Sequence, residues 1–92
     1  MRGGRRTEYE IYWEILSFCK SGRTFTQIVS RCDLNSKVAQ EYIDFLSSKG
    51  YISRSSTGDR NLFLTTEKAG AFLKLFTSLY LELFENSPEF KL

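Results

Sequence analysis

Histidine is absent from this 92-residue chain, which excludes every catalytic triad, proton shuttle or metal site that depends on imidazole. Two cysteines, Cys19 and Cys32, are too few to complete a four-ligand zinc site. Both lie among apolar residues, which predicts buried structural thiols in a cytoplasmic protein, with a disulfide as the lesser alternative. Charge of one sign is also scarce. Thirteen basic against eleven acidic residues leave a net +2, short of the strongly basic balance of a non-specific nucleic-acid coat. No N-terminal segment combines a charged start, an apolar run and a cleavage site. The longest apolar-rich stretch, Ala69 to Phe84, is interrupted by Lys74, Thr77, Ser78 and Glu82, too short and too polar to span a bilayer. Glu10, Glu14, Asp44 and Asp59 form no paired constellation for acid-base work, so the expectation is a protein that is not an enzyme, with no cofactor, metal or membrane partner.

What is present is an ordinary globular balance of 41% apolar and 26% charged residues, enough for one compact domain. Eight Phe, five Tyr and one Trp exceed what so short a chain needs to close a small core. The surplus points to a partner.

Residues 1–6 read as a flexible basic arm in which Arg2, Arg5 and Arg6 surround Gly3-Gly4. Thr7 with Glu10 has capping-box spacing and opens a helix whose apolar arc centres on Tyr12, Ile15, Leu16 and Cys19, flanked by Ile11 and Phe18 and by Tyr9 and Trp13. It should end near Ser21-Gly22. Thr24 with Gln27 repeats the pattern and starts a short helix through Ile28, Val29 and Cys32, followed by a tight turn at Asp33-Leu34-Asn35 whose Leu34 plugs the core. A third helix runs from about Ser36 to Lys49 and closes at Gly50. Its apolar face carries Val38, Ala39, Tyr42, Ile43, Phe45 and Leu46; Ser36, Lys37, Gln40, Glu41, Asp44, Ser47 and Ser48 form the polar one. Tyr51 to Arg54 and Leu62 to Leu64 are strand candidates around a loop at 55–61, and Thr65 or Thr66 caps a last helix that runs to about Asn86, stopped by Ser87-Pro88, with 87–92 as a tail.

Mainly helical, with a helix, a short capped helix, a tight turn, an amphipathic helix ending in Gly and then a small β-hairpin, this order describes a winged helix-turn-helix over residues 7–65. Ala39, Tyr42-Ile43 and Leu46, then Lys49-Gly50-Tyr51-Ile52, then Leu62-Phe63-Leu64-Thr65 with a helix beyond, resemble archaeal and bacterial winged-helix regulators. Within these the chain is most similar to small archaeal dimers in which one long dimerising helix follows the wing: the archaellum-regulator type and the ten-kilodalton archaeal DNA-binding proteins. The resemblance covers about Thr7 to Asn86. It departs where Leu64-Thr65 is followed by Thr66-Glu67-Lys68-Ala69-Gly70 rather than by two polar residues and Gly, which shifts the expected start of the last helix by a residue or two.

The resemblance implies a regulator that binds double-stranded DNA with its third helix in the major groove, the only groove that admits a helix and distinguishes all four base pairs. On that helix Gln40 suits a bidentate pair with adenine, Lys37 reaches guanine or phosphate, Ser36 sits at the helix start, and Glu41 and Asp44 are tolerated only where they accept from cytosine. Arg54 and Arg60 from the wing and Arg2, Arg5 and Arg6 from the arm follow the phosphates or enter a minor groove; Arg23 and Arg31 add contacts near the short helix. One cation against two carboxylates gives the third helix's face a charge of −1, equally the pattern of a plain solvated face.

Helix 66–86 would extend for ~30 Å. Leu75, Leu79, Phe72, Leu83, Phe76, Ala69, Tyr80, Leu73 and Phe84 fill about 180° of it, where roughly 100° suffices for one packing surface. The excess, with a heptad-like series of Ala69, Phe72, Phe76, Leu79 and Leu83, predicts a homodimer joined through this helix, antiparallel, with Trp13 or Phe18 lining the joint. Folding back as core is the alternative. Two other functions remain open: a winged helix used for protein contacts, which Glu41 and Asp44 favour, and an architectural DNA-binding protein, which the low net charge disfavours.

Overall fold

Two threonines set the first two helices. A computed structural model describes residues 7–82. Helix α1 (Glu8–Phe18) opens on Thr7, whose hydroxyl accepts from the Glu10 amide at 3.1 Å while the Glu10 carboxylate accepts from the Thr7 amide at 2.8 Å. It continues as a 3₁₀ turn, Cys19–Ser21, and stops at Gly22. Helix α2 (Phe25–Arg31) repeats the reciprocal cap with Thr24 and Gln27. Asp33 turns the chain with φ of 55°, Asn35 caps α3 (Ser36–Ser48) through the Val38 amide, and Gly50, at φ of 79°, closes it. These elements agree with the sequence expectation.

The hairpin is longer than its composition suggested. Strands β1 (Ile52–Thr57) and β2 (Arg60–Thr65) pair antiparallel from Ile52↔Thr65 to Thr57↔Arg60, leaving a two-residue turn at Gly58-Asp59 instead of a loop over 55–61. Gly58 alone takes positive φ (59°), the type II′ pattern that matches the twist of paired strands, so polar residues with weak strand propensity are carried into the ladder by the turn. Arg23 adds a bridge to Phe63, exchanging both backbone hydrogen bonds at 3.0 and 2.7 Å, which ties the α1–α2 connection to the hairpin.

Neither Thr65 nor Thr66 caps the last helix. The Thr65 hydroxyl donates to the Leu16 carbonyl and that of Thr66 to the Gly50 carbonyl, both at 2.6 Å, so the two threonines lock the end of the hairpin onto α1 and α3 instead. Helix α4 (Ala69–Tyr80) therefore starts three residues after Thr66, and its described length is ~18 Å at 1.5 Å per residue. Leu83, Phe84, the expected end at Asn86 and the tail 87–92 lie outside the described residues, as do Arg2, Arg5 and Arg6.

The core joins all three layers: Ile11, Ile15, Leu16 and Cys19 of the first helix and its turn, Ile28 and Cys32 around α2, Ile43 and Leu46 of α3, Ile52 and Phe63 of the hairpin, and Ala69 of α4. Leu34 packs against it from the turn, as expected. Both cysteines are buried and unbridged. Burial pushes the Cys19 thiol up to about 12, reinforced by the neighbouring Cys32 and only partly opposed by Arg23. Phe45, expected on the inner face of α3, is 42% exposed and meets α1 through the ring of Tyr12, stacked on it at 5.2 Å.

Candidate nucleic-acid interface

On α3 the spacing of three and four residues puts Lys37, Gln40, Glu41 and Asp44 on one strip beyond Ser36, with all but the half-buried Gln40 exposed. Inward-pointing Ala39, Ile43 and Leu46 hold the helix against the core, so the strip cannot rotate away from solvent. Gln40 donates to the Asp44 carboxylate at 2.9 Å, one turn along. The pair fixes the Gln40 amide and offsets part of the Asp44 charge, which lessens the repulsion a carboxylate would meet near phosphate.

The hairpin places its cations differently. Arg54 stands opposite Phe63 in the register, its guanidinium 5.3 Å from that ring, while Arg60 is exposed at the tip opposite Thr57. Ser56 donates to Asn61 at 2.9 Å across the ladder and stiffens the polar tip. Over the strip and the hairpin together Lys37, Arg54 and Arg60 are balanced by Glu41, Asp44 and Asp59, so these described surfaces carry no net charge.

Arg31 is not part of that surface. It lies over the Phe18 ring at 5.8 Å, in a groove between the α1 side and the end of α2 that no residue of α3 or the hairpin lines. Arg23 lies over the same ring at 4.3 Å, and Phe18 is therefore spent on these cations. The sequence groups Arg23 and Arg31 only by their nearness to the short helix; the ring they share, Phe18, stands in the sequence only as the flank of a helical arc.

Helix α4 splits the apolar arc read from the sequence. Ala69 is buried, Phe72 stacks with Tyr51 at 6.1 Å, and Phe76 stacks with Trp13 at 6.0 Å, whose indole N–H donates to Thr77 at 3.2 Å. Three of the five residues of the heptad-like series, Ala69, Phe72 and Phe76, thus pack within the protomer, Phe76 against Trp13 at the α1–α4 joint and Phe72 against Tyr51, with half-buried Tyr80 continuing the Phe72–Phe76 ring ladder. Leu75 and Leu79 are left facing solvent, 72% and 55% exposed. Among the described residues no helix is long and apolar enough to cross a membrane, and no group of three or more His, Cys, Asp and Glu could hold a metal ion.

The sequence profile of a winged helix-turn-helix family matches residues 5–83. An uncharacterized protein of Methanocaldococcus jannaschii is 37% identical over 82 residues, covering 88% of this chain and 76% of its own length. Among solved structures, Sso10a-2, a DNA-binding protein from Sulfolobus solfataricus, superposes with a TM-score of 0.72 at 30% identity, over 88% of this chain and 84% of that one. The homodimeric winged helix-turn-helix DNA-binding domain of Mb0332 from Mycobacterium bovis shares the fold at a TM-score of 0.66 and 19% identity, over 78% and 68% of the two chains.

Proposed function

The chain belongs to the winged helix-turn-helix family, and from that membership we propose that it is a homodimeric, cytoplasmic transcriptional regulator that binds double-stranded DNA. The observation that carries this reading is the pairing of a firmly anchored α3, presenting Lys37, Gln40, Glu41 and Asp44 on one strip, with a polar-tipped hairpin directly after it. A rigid helix of 13 residues fits the major groove, and a two-stranded ribbon beside it reaches the backbone or the minor groove. Gln40 reads adenine once it exchanges Asp44 for a base edge; Lys37, Ser36, Arg54 and Arg60 hold phosphates, with Arg5 and Arg6 of the arm supplying charge that the balanced strip and hairpin lack. That the S. solfataricus neighbour is a DNA-binding protein supports the same partner.

Dimerisation is supported by Leu75 and Leu79, whose exposure on a helix already packed on its other side leaves an apolar ridge for a second copy; Phe72, Phe76, Tyr80 and Trp13 form the wall behind it. The M. bovis neighbour, of the same fold, is homodimeric. Fluorescence anisotropy of a labelled random duplex across a salt series tests DNA binding: affinity that falls steeply with log salt supports it, and no binding at low salt would shift the function to the protein-contact reading that Glu41 and Asp44 suggest. Selection from a randomised duplex pool separates a regulator, which yields a palindromic site, from an architectural protein, which yields none.

A further inference from the structure

Lys20, Arg23 and Arg31 converge on a groove of about 550 Å³ whose other walls include Trp13, Phe18 and Glu14. The volume lies inside the roughly 300–1,000 Å³ range of small-molecule sites. Arg23 is half-buried and held: its Nε donates to the Phe18 carbonyl at 3.1 Å and its guanidinium carbon lies 4.3 Å from the centre of the Phe18 ring. Arg31 shares that ring at 5.8 Å, which places the two guanidinium carbons within about 10 Å of each other. Three cations face one carboxylate, so the groove is electropositive. Trp13 is fixed as firmly, by its hydrogen bond to Thr77 and its stack on Phe76.

We propose that this groove binds a small planar aromatic carboxylate, the carboxylate held by Arg23 and Arg31 and the ring lying against Trp13. A pre-oriented guanidinium matches a carboxylate with two parallel hydrogen bonds, and the negative charge of the carboxylate offsets the mutual repulsion of the neighbouring cations. The fixed Trp13 wall supplies area at little entropic cost and favours a flat ligand over a compact inorganic anion. The site is separate from the α3 strip and the hairpin, so it stands independently of the DNA-binding reading.

The test is titration of the full chain, without nucleic acid, with 2-naphthoate as probe, followed by amide and indole NMR shifts and by fluorescence of Trp13, the only tryptophan. Saturable shifts at the Trp13 indole and around residues 17–23 and 31–32 are expected, with 2-naphthalenemethanol and cyclohexanecarboxylate binding at least tenfold more weakly. Lys20→Gln with Arg31→Gln, both at exposed positions, should leave thermal unfolding unchanged and raise the Kd for 2-naphthoate at least tenfold. Equal binding of the uncharged alcohol, equal binding of inorganic phosphate, shifts centred elsewhere, or an unaltered Kd in the double variant would each overturn the assignment. So would displacement of 2-naphthoate by a stoichiometric 20-base-pair duplex, which would make the groove a phosphate contact of the nucleic-acid interface.

Discussion

Replacing Leu75 and Leu79 together by glutamine removes the outward ridge of α4 while keeping helix propensity nearly constant. The two residues leave 72% and 55% of their surfaces uncovered, a little over one leucine's worth per protomer. Burying a leucine is worth about 1.5–3 kcal/mol, so a dimer covering both ridges gains roughly 4–8 kcal/mol from these positions. At 1.4 kcal/mol per factor of ten, the lower bound already weakens dimerisation by about a thousandfold. Sedimentation velocity from nanomolar to hundred-micromolar protein should show the parent as a dimer and Leu75→Gln/Leu79→Gln as a monomer across most of that range. Circular dichroism should remain that of the folded protomer, because Ala69, Phe72, Phe76 and Trp13 still close α4 onto α1. A variant with unchanged mass and unchanged concentration dependence would refute the argument that this ridge holds two copies together.

Deleting residues 1–6 removes Arg2, Arg5 and Arg6, and since the strip and hairpin are electrically balanced, the slope of log affinity against log salt should fall by up to about 2.7 per protomer; an unchanged slope means the arm does not touch DNA. Gln40→Ala should alter which duplexes are selected, whereas Arg60→Ala should weaken all duplexes alike, and indistinguishable effects in a selection experiment would contradict this division of roles. Cys19, with a thiol raised from 9.0 to about 12, binds its proton more tightly folded than unfolded. Its contribution to stability is therefore complete below pH 9 and is lost progressively toward pH 12, and Cys19→Ser should flatten that alkaline fall in urea titrations.

Local signals were legible wherever the physics is local. The Thr7–Glu10 and Thr24–Gln27 caps, the Gly50 stop and the split faces of α3 follow from hydrogen-bonding groups and helical periodicity within a few residues, and the structure has all of them. The hairpin was underestimated because Ser55, Ser56 and Asn61 have weak strand propensity, and their pairing comes from the ladder and its Gly58 turn. The α4 start was misread because Thr65 and Thr66 look like caps, yet their hydroxyls serve carbonyls 49 and 16 residues away. The α3 strip was read residue for residue, although the bond between Gln40 and Asp44 was not.

Composition and spacing alone determined the order of elements, the winged helix-turn-helix arrangement and the surplus of apolar surface along α4, because each depends on periodicity, caps and turn chemistry written within one segment. Only the tertiary structure decided which part of that surplus is spent inside the protomer and which part faces outward: Trp13 claims Phe76 and Tyr51 claims Phe72, leaving Leu75 and Leu79. It also brought Arg23 and Arg31 to one Phe18 ring, a meeting between segments with no sequence signature, because it is made by the packing of α2 and the Arg23–Phe63 bridge against α1.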